Sequence, residues 1–409
     1  MRQKNNLTLG GVLLVAGTCI GAGMIGVPVK TAAAGFYPTV VAFVIMWVLM
    51  ILSALLFLEI CLVFKGEINF ISMIKEILGN TNKKISWVVY LLFMYSIMAA
   101  YTSGGVTLIN QIIPMNFYLA ILIFLFPFAY VIYLGSKFID LINRFLTIGL
   151  IISFILLCVT AVFFGDNSMQ SISNFSFVGN VKFILFALPI ISTTFCYHVI
   201  IPSLKSYLKE EIQPLKKVIL IGTTIPLIVY IIWQIVILLL IPVFGDDGLI
   251  SMLSCNKNPA DSIINYLMIH GQNKSVLIFI VTFLFCALTS SLLGIAWALS
   301  DFLADGFKIV KNSKGKLFLT VLTFMPPIIY SIFFPAGFLK AVGFAAVLSS
   351  MLTIVYPSLM VWKLRHKKFI YHPNLMDNSR YKAPIGSKLI IVIMLFGVFI
   401  MLLECINNF

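Results

Sequence analysis

Eleven runs of apolar residues, each about 20 long and so able to cross a hydrocarbon layer of about 30 Å, begin near residues 8, 38, 85, 117, 145, 178, 217, 275, 315, 337 and 387. A chain divided in this way has little choice of fold class. Backbone amides and carbonyls in hydrocarbon must find partners within their own segment, so each run is expected to be a helix. The whole reads as an all-α polytopic membrane protein of 11 transmembrane helices in a single transmembrane domain. With 61% of its 409 residues hydrophobic and 10% charged, the chain falls outside the soluble range. The first run carries glycines and a downstream proline where a signal peptide has a small-residue cleavage site, so it reads as a span.

The formal net charge of +14 would point to a nucleic-acid partner in a soluble protein, but here its distribution makes it a topology signal. With the N-terminus counted as cytoplasmic, 23 of the 28 basic residues fall on the cytoplasmic side, in clusters such as Lys83 with Lys84 and Lys308 to Lys316. The positive-inside rule then places the N-terminus in the cytoplasm and the C-terminus outside, as an odd number of spans requires. Nucleic acid is excluded as a partner, and the lipid bilayer takes its place. The cysteines and histidines show no spacing that suits a disulfide framework or a metal site.

Within the first run, residues 16 to 28 read Ala-Gly-Thr-Cys-Ile-Gly-Ala-Gly-Met-Ile-Gly-Val-Pro. Each glycine inside a helix costs about 1 kcal/mol relative to alanine, and an opened turn survives in hydrocarbon only where it lines a polar cavity. Two readings stand: a broken helix whose backbone binds a ligand, or glycines that admit a neighbouring helix, as the Gly17 and Gly21 spacing allows. The sixth run repeats the oddity, with Ser192, Thr193, Thr194, Cys196, Tyr197 and His198 between Pro189 and Pro202. Polar groups at that depth face a bundle interior and carry function, unless the hydroxyls simply bond preceding carbonyls. Runs one and six enter the membrane from opposite sides, which is the pattern of an inverted five-helix repeat with two discontinuous helices. Repeat one would cover about 7–165, repeat two about 178–363, and an additional helix about 387–407.

Other segments are read more simply. The third run carries Tyr90, Tyr95, Ser96, Tyr101, Thr102 and Ser103, so one of its faces is expected to meet water or substrate. Phe70 to Leu78 has an amphipathic pattern suited to the membrane surface. Asp140 and Arg144 are assigned to a short cytoplasmic loop, and the segment 244–274 to a partial external lid. In the eighth run Thr289, Ser290 and Ser291 are either ligands or back-bonded packing residues, and Asp301 marks its cytoplasmic end as a gate or a solvated surface.

The stretches GGVLLVAGTCIGAGMIGVPVKTAAAGF, MYSIMAAYTSG, HVIIPSLKSYLKEEIQPLKKVILIGTTIPLIVYIIWQ and SSLLGIAWALSDFLAD occur in this order along the chain. Together they resemble the bacterial tyrosine-specific permease branch of the hydroxy and aromatic amino acid permeases, over nearly the whole length. The resemblance implies the fold of the amino acid, polyamine and organocation superfamily, five plus five helices and one more, in the bacterial inner membrane. It implies uptake of an aromatic amino acid, L-tyrosine foremost, driven by a cation through alternating access. No cofactor is implied beyond a coupling proton or sodium ion, and no obligate protein partner.

Carried onto this sequence, the resemblance assigns the substrate carboxylate to amides in Gly21, Ala22 and Gly23. The ammonium goes to carbonyls near Cys19, Thr193, Thr194 and Phe195, in keeping with the charges of half-helix ends. The aromatic ring would lie among Met24, Met98, Tyr101, Phe195, His198 and Trp297, with His198 or a neighbouring hydroxyl as a reader of the phenol. For coupling, the fifth run has no lysine of the kind proton-coupled relatives use, whereas Thr289 and Ser290, with carbonyls like those of Gly17 and Ile20, form an oxygen set suited to sodium. A proton would need His198, Glu59 or Asp301 as carrier. A serine or threonine permease of the sister branch is the alternative transporter; an intramembrane enzyme lacks a catalytic constellation here, and a channel lacks a ring-forming repeat.

Overall fold

The computed structural model describes residues 2–21, 23–66, 68–164, 175, 177–254, 258–270, 274–366 and 381–408. Among them, ten helices are long and apolar enough to span a bilayer, and a bent pair brings the number to eleven. Span 1 is that pair, Leu7–Cys19 and Gly23–Ala34, bent by 55°. Spans 2 to 5 are Phe36–Val63, Asn80–Ile112, Phe117–Leu134 and Ser136–Phe163; spans 6 to 8 are Lys182–Tyr207, Ile212–Leu240 and Lys274–Phe307; spans 9 to 11 are Ser313–Phe333, Phe338–His366 and Ser387–Ile406. The protein is a multi-pass membrane protein built of helices. The face of the bundle on which the chain begins is called the N-terminal face below, and the other the opposite face.

Local sequence explains how the helices start and stop. Asn116 and Asn312 cap spans 4 and 9 by accepting the amides of Tyr118 and Gly315 at 2.9 and 2.8 Å, which satisfies donors that the first turn leaves open. Gly135, at φ 104°, ends span 4 in a conformation that side chains resist, and span 5 restarts at once. For that reason Asp140 and Arg144 do not lie in a loop. They sit one turn apart on span 5 as an exposed ion pair of 2.8 Å, and such a pair supports a helix.

The spans touch in two sets. Spans 1, 2, 6 and 7 pack on one another, and spans 3, 4, 8 and 9 do likewise; span 5 leans on spans 7 and 8, and span 10 touches both sets. Small residues allow the closest approaches. A Cβ on Gly105 of span 3 would lie 2.0 Å from the Phe124 ring of span 4, and one on Gly222 of span 7 would lie 2.7 Å from Val15 of span 1.

The helix Phe70–Leu78 turns its apolar face to protein rather than to lipid. Ile71, Met73, Ile74 and Ile77 are buried against spans 3 and 10, Phe70 packs between Phe57 and Tyr356, and the Lys363 ammonium donates to the Ile77 carbonyl at 2.5 Å. Its apolar face is covered by protein, and that removes the drive to seek lipid.

One buried ion pair ties spans 2, 10 and 11. Arg365 holds both carboxylate oxygens of Glu59, and its remaining donors reach the carbonyls of Ile385 and Ala383 at 2.6 and 3.0 Å. The Ala383 amide donates to Glu59 at 2.8 Å, and only 3% of Glu59 is exposed. Next to the pair, burial and the Glu59 charge push the Tyr381 phenol up to about 12, and the Lys216 ammonium lies over its ring at 4.6 Å. Arg365→Met should strand the carboxylate and cost about 3–5 kcal/mol, whereas Glu59→Leu with Arg365→Met should cost far less. Thermal unfolding of the purified protein in detergent checks the difference; equal losses would mean that packing, not charge, holds this corner.

Candidate functional site

The break in span 1 is short and is repaired from outside the helix. Ile20 and Gly21 leave the helical path, with the Ile20 amide on the Ala16 carbonyl at 3.3 Å and the Met24 amide on the Gly21 carbonyl at 3.0 Å. The carbonyls that the break exposes, and that of Met24, which Pro28 leaves without a helical amide, are taken up by side chains. The Tyr230 hydroxyl donates to the Cys19 carbonyl at 3.1 Å, the Ser291 hydroxyl to that of Ile20 at 3.3 Å, and the Trp233 indole to that of Met24 at 2.5 Å. Spans 7 and 8 thus complete the backbone of span 1.

The glycines at the opened turn admit close neighbours. A Cβ on Gly21 would meet Ser291 at 2.9 Å and the Tyr101 hydroxyl at 3.0 Å, and one on Gly23 would meet Thr194 at 2.4 Å and the Tyr230 hydroxyl at 2.8 Å. Close approach and the opened turn depend on the same missing side chains. Gly17 is different, because nothing lies within 4 Å of a Cβ there.

Span 6 loses its helix over Phe195–Tyr197 and resumes as a tight turn at His198–Ile200. Ser192, Thr193 and Thr194 each donate to the carbonyl three residues earlier, at 2.6, 2.7 and 2.7 Å, so their hydroxyls serve the helix end first. Phe195 is fully buried against the Tyr230 ring, 6.1 Å away. His198 is buried too, packed on Tyr197 at 5.0 Å, and neither ring nitrogen has a hydrogen-bond partner among the described residues.

Cys19, Gly21, Gly23, Tyr101 and Thr194 therefore converge, with Met24, Met98 and Phe195 buried in the same core. Ala22 lies outside the described residues. Trp297 is 42% exposed and does not join them, because span 8 turns it away from the buried interior. Thr289 and Ser290 are turned to carbonyls of their own helix, Phe285 at 2.6 Å and Ala287 at 3.2 Å. The hydroxyl that reaches span 1 belongs to Ser291.

The two ends of the bundle differ. On the opposite face, helices Leu249–Ser254 and Pro259–His270 cover the ends of the spans, with 255–257 and 271–273 outside the described residues. Between them Asn258 donates to Thr107 at 2.7 Å, Ser103 at 3.2 Å and the Pro335 carbonyl at 3.3 Å, and accepts the Phe338 amide at 3.4 Å. The N-terminal face instead holds a cavity of about 810 Å³ that reaches His198. Glu59 and Asp301 are neither in it nor free: Glu59 holds Arg365, and Asp301 holds Lys311 at 2.8 Å on the surface.

A helical bundle with a broken first span and a polar cluster at the break stands beside a cavity on one face, and residues 4–404 match the family model described as the tryptophan/tyrosine permease family. The chain belongs to that family. It is 32% identical to the tyrosine-specific transport system 1 of Haemophilus influenzae, over 97% of this chain and 96% of that protein. It is 30% identical to tyrosine-specific transport system 2 and 28% identical to the tryptophan-specific transport protein of the same organism, over 97% of this chain in each case and 96% and 95% of those proteins. These relatives are named as transport proteins, and the chain is an aromatic amino acid permease by family.

Tyr230, Trp233 and Asn258 are not singled out by the sequence, whereas Ser291 stands there among three hydroxyls open to a ligand or a packing role. For the first two a signal was present, since Tyr230 and Trp233 lie three residues apart in an apolar span, where a tipped aromatic ring needs a partner. Two outcomes are expected. Gly23→Leu should abolish uptake while the protein still reaches the membrane, as blotting of membrane fractions would establish; normal transport would overturn the assignment of this turn to the substrate. Tyr230→Phe, which removes one hydrogen bond worth about 1 kcal/mol, should weaken apparent affinity by about fivefold in an uptake assay.

Proposed function

We propose that this permease imports an aromatic amino acid, L-tyrosine first, by proton symport and alternating access in a bacterial inner membrane, with the N-terminal face in the cytoplasm. The observation that carries the proposal is a cavity on the N-terminal face paired with an opposite face over which, among the described residues, Leu249–Ser254, Pro259–His270 and the Asn258 hydrogen bonds are laid, with span 1 broken between the two. In this arrangement the substrate site would be closed to the exterior by Asn258 and its four hydrogen bonds. Import requires the reverse arrangement as well, and the two sets of spans are the bodies that would rock. The interruptions of spans 1 and 6, with span 2 packing beside span 7 and span 3 beside span 8, support the inverted repeat of about 7–165 and about 178–363.

Substrate recognition follows from half-helix ends. The amides at the start of Gly23–Thr31 favour the carboxylate, and the carbonyl ends at Cys19 and Thr194 favour the ammonium. Tyr101, Phe195, Met24 and Met98 offer the apolar slot, and a phenol reader among them would reject phenylalanine, because the empty case strands a buried polar group. Relatives named for tyrosine and for tryptophan support the aromatic class, and the 32% identity to tyrosine-specific transport system 1 supports the order. For the proton, His198 is the group left once Glu59 and Asp301 are seen in ion pairs, and it adjoins the cytoplasmic cavity.

Uptake of radiolabelled tyrosine into proteoliposomes, with proton and sodium gradients imposed separately and phenylalanine, tryptophan and serine as competitors, tests the reading. Proton-driven accumulation, competed by tryptophan but not by serine, is expected. Accumulation driven by sodium alone would move the coupling site to Ser291 and the Ile20 carbonyl, and competition by serine would move the substrate to the sister branch. His198→Gln should lose accumulation against a gradient and keep exchange of internal for external tyrosine; retention of both would remove the proton from His198.

A further inference from the structure

The cavity on the N-terminal face does not include the cluster at the break of span 1. Of the residues that the sequence assigns to substrate, it touches His198 alone. Its walls nonetheless have a composition of their own. One wall is aromatic: Trp87 stacks on Phe302 at 5.5 Å and 28°, and Tyr90 approaches the same ring at 4.7 Å. Near the rim stand Lys83, Asp305 and Lys308, and none of these three joins an ion pair among the described residues. A third lysine in the lining, Lys205, is by contrast spent on the carbonyls of Phe64 and Gly66 and on Glu210. At the buried end lies the His198 imidazole, 2% exposed and without a hydrogen-bond partner among the described residues. Buried polar groups as a rule have partners, and one without is open to a ligand.

We propose that this cavity is a second binding site for a zwitterionic aromatic amino acid, through which the internal pool of substrate holds back its own import. The inference rests on the transport reading given above. Lys83 or Lys308 takes the carboxylate, Asp305 the ammonium, the Trp87 and Phe302 wall the ring, and His198 a polar ring substituent. A volume of about 810 Å³ lies within the range of small-molecule sites, which are mostly apolar with a few placed polar groups.

Inhibition follows from where the cavity lies. Its walls come from spans 2 and 6 on one side and spans 3 and 8 on the other, that is, from both sets of spans, and from the helix Phe70–Leu78. The opposite face can open only if these walls close. A ligand that binds the open form alone shifts the population toward it and so slows the return step.

Equilibrium binding of radiolabelled tyrosine to the full chain in nanodiscs, read beside uptake into vesicles with and without internal tyrosine, tests the proposal. Two classes of site are expected in the unchanged protein, the weaker of which survives Gly23→Leu. Trp87→Ala should weaken that class by about tenfold, as loss of a ring contact allows. It should also relieve inhibition by internal tyrosine without altering uptake into empty vesicles. Lys308→Asn gives a second variant that keeps its fold, because Lys308 is exposed at φ 54° and asparagine tolerates that conformation; it too should weaken the second class. A single class of site in the unchanged, transporting protein, removed entirely by Gly23→Leu, would overturn the second site alone. Absence of both binding and uptake of tyrosine in the unchanged protein would overturn the transport reading and this one with it.

Discussion

Between Cys19 and Gly23 the first span gives up helical hydrogen bonds in a layer that offers no water to replace them. Each unpaired carbonyl there would cost several kcal/mol, so the break depends on the donors that Tyr230 and Ser291 supply. That requirement fixes the neighbours. Spans 7 and 8 must stand against the break, and Gly21 and Gly23 must lack side chains for the donors and Thr194 to approach. A polar centre in an apolar bundle is the result, and it is assembled from both sets of spans.

Span 10 connects those sets. Its first part, Phe338–Ser350, packs on span 3, while its last part, Tyr356–His366, packs on span 2 and is held there through Arg365 and Glu59. Between the two lies a widened turn, Met351–Val355, whose Thr353 carbonyl accepts the Ser53 hydroxyl of span 2. Such turns recur at functional positions because they loosen the helix without breaking it. The turn also lines the cavity through Leu352 and Thr353.

The eleven spans were legible because a run of about 20 apolar residues has one stable outcome in hydrocarbon. The two interruptions were legible for a related reason, since glycine density and intramembrane polar runs contradict an uninterrupted helix. Span 5 was misjudged at its start, where Asp140 and Arg144 looked like a loop although a helix extends past the apolar layer when a charge pair supports it. The helix Phe70–Leu78 was identified as amphipathic but given the wrong partner, because its pattern says that one face is covered and not by what.

Sequence by itself determined the helical membrane fold, the place of the break and the residue types that converge on it, because all three follow from local burial and backbone pairing. Tertiary structure decided which of neighbouring side chains does the work. Thr289, Ser290 and Ser291 are alike in composition and about 100° apart around the helix, and only the rotation of span 8 against span 1 selects Ser291 and sends Trp297 outward. The same holds for Tyr230, Asn258 and the lysines of the cavity. Their partners lie far away in sequence, and packing alone brings them together.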